Sequence, residues 1–298
     1  MSTQGRRRRV VSLAGTLLAI CSACSGSLVI DEPEPAAPDA GDKADDPVGE
    51  GEDDEPTEFS LQIDAGQTWS DTGIDLERGE MFSLLASGSI DFGPASIGPE
   101  GFAPADHDEY NVVPCSDHAG LIGRIGADGE PFFAGAEAVS VATAAGRLYL
   151  GVNDTDVGNN SGAFAVRLET DLPYQAGEPA SVSHPATVAW TDTQVDVAGG
   201  DILVITASGT IDDHAPTPDT TWGPAGVPDT LDRPASIIGC ANHAVLLGRL
   251  GENGALFVVG ATHAAPAPAA GRLYLGLNDS VLTDEAGKLA ATVTLIER

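Results

Sequence analysis

The residues best suited to chemistry lie within 146–162, GRLYLGVNDTDVGNNSG, where a strand-like run ends in a turn crowded with side-chain oxygens. Asp154 closes the run, and Asn159 and Asn160 follow five and six positions later. Adjacent side chains of an extended chain point to opposite faces, so these two asparagines converge only where the backbone leaves strand geometry. Gly158 and Gly162 permit that departure, and Asn tolerates left-handed conformations better than most residues. One carboxylate, two amide oxygens and one or two backbone carbonyls make the hard-oxygen set that Ca²⁺ accepts. So low a ligand charge leaves positions for outside oxygens. Two neighbouring sugar hydroxyls can replace two waters on such an ion while the flanking carboxylate and amides bond the same hydroxyls. The same composition also describes an Asx-rich turn with no metal at all, and composition alone leaves both readings open.

A second copy follows 125 residues later, GRLYLGLNDSVLTDEAG at residues 271–287. Asp279 keeps its spacing to Asp284 and Glu285, but Gly-Asn-Asn-Ser has become Thr-Asp-Glu-Ala. Three carboxylates suit calcium, yet bidentate carboxylates fill the places a sugar needs, and Thr283 in the place of Gly158 stiffens the turn. The expectation is an altered site with both metal and sugar binding in question.

The elements that must position these loops read as strands. Short alternating runs at residues 59–64, 81–90, 119–126, 137–143, 147–153 and 163–169 are separated by Gly, Asp and Pro, and no amphipathic helix is evident. The pattern recurs: Trp69-Ser-Asp-Thr-Gly-Ile is echoed by Trp190-Thr-Asp-Thr-Gln-Val, Ala86-Ser-Gly-Ser-Ile by Ala207-Ser-Gly-Thr-Ile, and Gly98-Pro-Glu-Gly by Gly223-Pro-Ala-Gly. The offset grows from 121 to 125, which puts four extra residues between Ile211 and Trp222. The fold class is therefore all-β, two tandem antiparallel β-sandwiches at 58–172 and 186–298. A linker at 173–185 is marked by Pro173, Gly177, Pro179 and Pro185. Cys115 and Cys240 fall at matching places, either as one inter-domain disulfide or as two small buried side chains.

The formal charge is −31. Residues 25–58 hold 13 acids and one lysine, and from Phe59 onward 32 acids face 9 bases. Such a surface repels nucleic acid and anionic lipid and suits cations and neutral ligands, or simply keeps the protein soluble. Residues 1–24 read as a lipoprotein-type signal: four arginines, an apolar run too short to span a bilayer, then Cys-Ser-Ala-Cys. Cys24 follows small residues and is the better lipidation position than Cys21; an ordinary secretion signal is the alternative. Residues 25–57, acidic and aperiodic, read as a disordered tether. The chain is thus expected in the cell envelope, touching a membrane only through its lipid. Trp69, Trp190 and Trp222 at strand starts read as core before sugar platforms, and His118 and His243, at equivalent places, as structural histidines. No Ser/His/Asp set, phosphate loop, zinc spacing or glycosidase carboxylate pair stands out, so a binding protein and not an enzyme is expected.

Together W-x-D-T-G-I, A-S-G, G-P-x-G, A-G-L-I-G-R-I-G, G-R-L-Y-L-G-V-N-D and G-N-N-S-G-x-F-x-V resemble the bacterial PA-I-type galactophilic lectins, over nearly all of residues 59–172 and more weakly over 186–298. The resemblance implies a jelly-roll-like, galactose-binding-like sandwich that holds galactose-containing glycans through calcium. It further implies side-chain ligation by Asp154, Asn159 and Asn160, with Asp154 and Asn159 also touching sugar and Asn160 beside them. Backbone carbonyls at Asp156 and near Phe92 would complete the set, although the loop after Asp154 is two residues shorter than the family's. A family histidine that reaches an outer hydroxyl would fall near His107. The alternative from another class is a structural envelope lipoprotein whose sandwiches are stiffened by calcium and bind no sugar.

Overall fold

The computed structural model describes residues 55–93, 95–103, 108–212, 221–283 and 285–297, all within one compact unit, 52–298. The signal segment with Cys21 and Cys24, most of the acidic tether, His107 and Asp284 lie outside the described residues.

The first repeat runs β1 (Thr57–Asp64), β2 (Trp69–Leu76), β3 (Met81–Phe92), β4 (Ser96–Ile97), β5 (Leu121–Ile125), β6 (Phe132–Phe133), β7 (Glu137–Val141), β8 (Gly146–Val152) and β9 (Asn160–Thr170). One sheet has the order β1-β9-β3-β4, with β7 on the same edge of β3 at its other end; the facing sheet has the order β2-β8-β5-β6. The second repeat, β10 (Ala180–Pro185), β11 (Thr191–Val197), β12 (Ile202–Asp212), β13 (Thr221–Trp222), β14 (Leu246–Leu250), β15 (Leu256–Val258), β16 (Thr262–Pro266), β17 (Gly271–Leu277) and β18 (Ala286–Ile296), repeats both sheets strand for strand. Every strand pair is antiparallel. The protein is therefore two all-β sandwiches in tandem, as the alternating runs imply.

Alternation does the sorting. Along β9 the side chains of Phe164, Val166 and Leu168 turn inward against Leu84, Leu148 and Leu150, while Arg167 stays outside. The second core gathers Leu203, Ile205, Leu246, Leu273, Leu275, Leu289 and Val293 in the same way. Trp222 packs on that core. Trp190 packs on a smaller cluster of Ala241, Val245 and Leu247, and both Trp69 and Trp190 lie under guanidinium groups, Arg124 at 4.3 Å and Arg249 at 4.1 Å from the ring centroids, with Tyr149 and Tyr274 also within reach of the two arginines.

The linker expectation is too long. Residues 180–185 form β10, paired with β18 from Ala180↔Val293 to Pro185↔Lys288. The prolines concealed it, because proline is tolerated at a strand end or on an outer strand, and β10 is both at Pro185. The four extra residues sit in one hairpin: Ile90 pairs Ile97, whereas Ile211 pairs Trp222. Cys115 and Cys240 form a disulfide with Cα atoms 5.1 Å apart, which decides the open alternative in favour of the cross-link. The repeats also share a small apolar cluster of Met81, Val139 and Val141 with Ile202 and Ile296, and the Ser140 hydroxyl donates to the Ala264 carbonyl at 2.7 Å.

Candidate functional site

β8 ends at Val152, and the next residue fixes everything that follows. Asn153 is fully buried; its Oδ1 accepts from the Val113 N–H at 2.7 Å, and its Nδ2 donates to the carbonyls of Val113 and Asp117 at 3.2 and 3.1 Å. With its backbone bonded to Ala119 and Gly120, Asn153 joins the loop that carries Cys115 to the start of the oxygen-rich turn. Asp154 therefore leaves the sheet in one direction only.

Asp154 is 3% exposed. Its Oδ1 accepts from the Asp156 N–H at 2.8 Å, which starts the turn, and its Oδ2 accepts from Asn160 Nδ2 at 3.0 Å. A single 3-10 turn at Val157–Asn159 then reverses the chain, and Asn160 opens β9 with extended dihedrals, φ −88° and ψ 150°. The reversal thus needs no left-handed asparagine, and Gly158 has no positive φ. Gly162 does have one, at +92°, and a Cβ there would lie 3.0 Å from the Ser89 carbonyl, so of the two glycines only this one is required by the backbone. A side chain at the position of Gly158, as Thr283 in the second repeat, therefore meets no left-handed strain.

Across the sheet Asn160 is in register with Phe92, the last residue of β3. Phe92 at the end of β3 is therefore brought to the turn that carries Asp154 and Asn160. Asn159, exposed, lies beside the same hairpin, its Nδ2 3.7 Å from where a side chain on Gly93 would begin. Asp156 is exposed on the rim.

Among the described residues no three His, Cys, Asp or Glu side chains converge as a metal group. The donors here are of another kind, one carboxylate with amide and backbone oxygens. Asn160 Oδ1 is buried and has no hydrogen-bond partner. An unpaired buried carbonyl oxygen costs about 1–3 kcal/mol, and such an orphan next to a carboxylate fits an ion that would take both oxygens. The amide now offers its NH₂ to Asp154; a half-turn of the side chain would present oxygen instead, with no change in the backbone. The residues present thus fit a hard divalent cation.

Sequence reasoning set His118 aside as structural. It is buried, packed edge-on against the Phe92 ring at 5.3 Å, and its Nε2 lies 3.9 Å from Asp154 Oδ2. Asn111 donates through Nδ2 to the Ser116 carbonyl at 2.8 Å, which turns its Oδ1 to His118 Nδ1, also at 2.8 Å. Nδ1 therefore carries a proton, and Nε2 is the nitrogen turned toward Asp154. His118 is both structural and part of the wall behind the candidate ion; only its recurrence as His243 could have hinted at this.

The second repeat keeps the frame and changes the lining. Asn278 is pinned like Asn153, accepting from Ile238 N–H at 2.8 Å and donating to the carbonyls of Ile238, Ala241 and Asn242 at 3.0, 3.2 and 3.0 Å. Asp279 starts the same turn by accepting from Val281 N–H at 2.8 Å, and His243 Nε2 stands 3.5 Å from its Oδ2. Glu285, in the place of Asn160, is 6% exposed, and Asp279 is 4% exposed. The longer, acidic residue is thus buried where Asn160 of the first repeat is half-buried.

No protein-family profile matches the chain, and no curated protein matches it. Among solved structures, one described as "EclA N-terminal domain; PllA-like lectin" is 27% identical, covers 39% of this chain and 94% of its own, and has a TM-score of 0.31. Another, "Crystal Structure of the STIV MCP", is 10% identical over 80% of this chain and 96% of its own, with a TM-score of 0.19. Superpositions this loose leave the functional argument to the loop itself.

Proposed function

We propose that the first repeat binds carbohydrate through calcium, with galactosides as the ligand class, and that the protein is a non-enzymatic, lectin-like component of the cell envelope. The observation that supports this most is the buried, unpaired Oδ1 of Asn160 beside the Asp154 carboxylate and opposite Phe92. Asp154 and Asn160 would hold the ion with Asn159 and the backbone carbonyls near Phe92 and Asp156. A cation held by one carboxylate keeps Lewis acidity and vacant positions for a diol, and the exposed Asn159 and Asp156 leave the approach open. In the second repeat the burial of Glu285 favours a different outcome, a loop closed to sugar whether or not Asp279 and Glu285, with Asp284, take a cation.

Titration calorimetry of the folded protein with methyl galactoside, in calcium and then in chelator, tests the reading. Heat of binding in calcium that vanishes with chelator is the expected result. Calcium that raises the melting temperature while neither methyl galactoside nor a galactoside array is bound would favour the structural alternative and end the lectin reading.

A further inference from the structure

The two repeats differ on the outer face of one sheet although the strand registers there are the same. Across β7, β3 and β9 of the first repeat, Glu137, Leu85 and Arg167 form one row and Val139, Ser83 and Glu169 the next. At the matching places β16, β12 and β18 carry Thr262, Thr206 and Thr292, then Ala264, Val204 and Thr294. The sandwich therefore folds with small uncharged residues on this face, and the leucine and the charges of the first repeat are not required by the scaffold. Leu85 is 54% exposed. A lone exposed leucine is ordinary, but this one opens a groove.

Both rows line a hollow of about 200 Å³, and a second of about 400 Å³ shares Ser83, Val139 and Glu169 with it and continues past Met81 to Leu172, Tyr174 and Glu297. The groove thus follows β3 from Leu85 to Met81, about 13 Å at strand rise, and runs on to the start of the linker. Its floor is apolar. Its charged lining is three carboxylates, Glu137, Glu169 and Glu297, against the one guanidinium of Arg167, which is itself bonded to Glu169 and lies 3.2 Å from Glu58. β3 is hydrogen-bonded on both sides, so a guest is held here by side chains and not as an added strand.

We propose that this groove is a docking site for an extended basic segment of another polypeptide, whose alternate apolar side chains descend onto Leu85, Val139 and Met81 while lysine or arginine reaches the carboxylates of the rim. Charge complementarity selects this occupant. A second copy of the chain, at −31, brings the same acidic rim against its like, and an acidic or purely apolar segment leaves the rim unmatched. The groove lies at the other end of β3 from Phe92, so it is independent of the oxygen-rich turn and of any calcium there.

Fluorescence anisotropy of a labelled KLKLKLK peptide, at physiological ionic strength and with chelator present, tests the assignment against KSKSKSK, which has the same charge and no apolar side. Saturable one-to-one binding of the first peptide, and weaker binding of the second, is expected. Leu85→Thr and Glu137→Thr install residues that the second repeat already carries at these places, and circular dichroism checks that both variants keep the fold. Leu85→Thr should weaken the first peptide about five- to tenfold and Glu137→Thr about two- to fivefold. Equal binding of the two peptides would reduce the effect to diffuse charge attraction and overturn the proposal, as would a Leu85→Thr protein that binds KLKLKLK like wild type. Sedimentation showing a wild-type dimer that Leu85→Thr dissociates would also overturn it, by giving the groove to a second copy.

Discussion

A carboxylate and an amide decide the matter at residue 154 and residue 160. Asp154 has both oxygens engaged within the turn, one by Asp156 N–H and one by Asn160 Nδ2, so an ion enters by displacing the second bond and recruiting the orphaned Asn160 oxygen. Asn160→Ala is expected to lower calcium affinity by about 10–100-fold while leaving the circular dichroism unchanged, because β9 needs only the backbone of residue 160. Terbium luminescence competed by calcium measures it; unchanged affinity would remove Asn160 from the ion. The buried asparagines beside these aspartates should behave oppositely. Asn278→Ala strands the Ile238 N–H and the carbonyls of Ile238 and Ala241, while the Asn242 carbonyl keeps the Val245 N–H, and at ~1–3 kcal/mol per unpaired group, with partial rescue by water, a loss of about 3–5 kcal/mol in urea unfolding is expected. The grouping of Asp154, Asn159 and Asn160 was legible because all three lie in one turn. His118 and the Asn153 pin were not, because their partners come from 36 and 40 residues away and no local pattern marks them.

The second strands of the two repeats show what a local departure costs at the scale of an element. β2 and β11 each carry an irregularity in pairing, between Asp71 and Asp75 and between Asp192 and Asp196, spanned by the guanidinium of Arg147 or Arg272. That polar bulge breaks the alternation, so the sequence marks the start of each strand near Trp69 and Trp190 but not its course, whereas β3, β8 and β9 alternate throughout. At the bulge Gly73 has φ +77° and Gln194 φ +62°. A left-handed side chain costs roughly 1–2 kcal/mol, part of it returned by the stiffer unfolded chain, so Gln194→Gly should gain about 0.5–1 kcal/mol in thermal unfolding. β10 carries a different exception. His184, 1% exposed, stands where the first repeat has Ile63, with Nδ1 on Thr191 Oγ1 at 2.8 Å and Nε2 buried without a partner. Burial lowers its pKa from 6.5 to about 4. The unfolded chain takes up the proton as pH falls through 6.5 and the folded chain only near 4, so this contribution is whole above 6.5 and is lost between those values. From pH 7 to 5 His184→Ile should therefore lose about 2 kcal/mol less stability than wild type, a difference in which other titrating groups cancel. Identical pH profiles for the two proteins would show the ring to be hydrated.

For the whole molecule the question is whether two copies of one sandwich behave as one body. They are joined by a disulfide closing 125 residues, by the Met81, Val139, Val141, Ile202 and Ile296 cluster, and by the Ser140 to Ala264 bond. In the chain-entropy account a cross-link of that span contributes about 4–5 kcal/mol. Each cysteine is carried by a loop pinned through Asn153 or Asn278 to an oxygen-rich turn, so the bond links the two turns. Oxidised protein is expected to melt in one calorimetric transition, and Cys115→Ala/Cys240→Ala at lower temperature but still in one. Adding Val139→Asp, which puts a charge into the shared cluster, should separate the repeats into two transitions. Calcium then reports which repeat it occupies: it should raise the single transition of the oxidised protein, but only one of the two in the triple variant. If calcium raises both, the carboxylates of the second repeat hold an ion as well; if the oxidised protein already melts in two steps, the cross-link joins two bodies without coupling them.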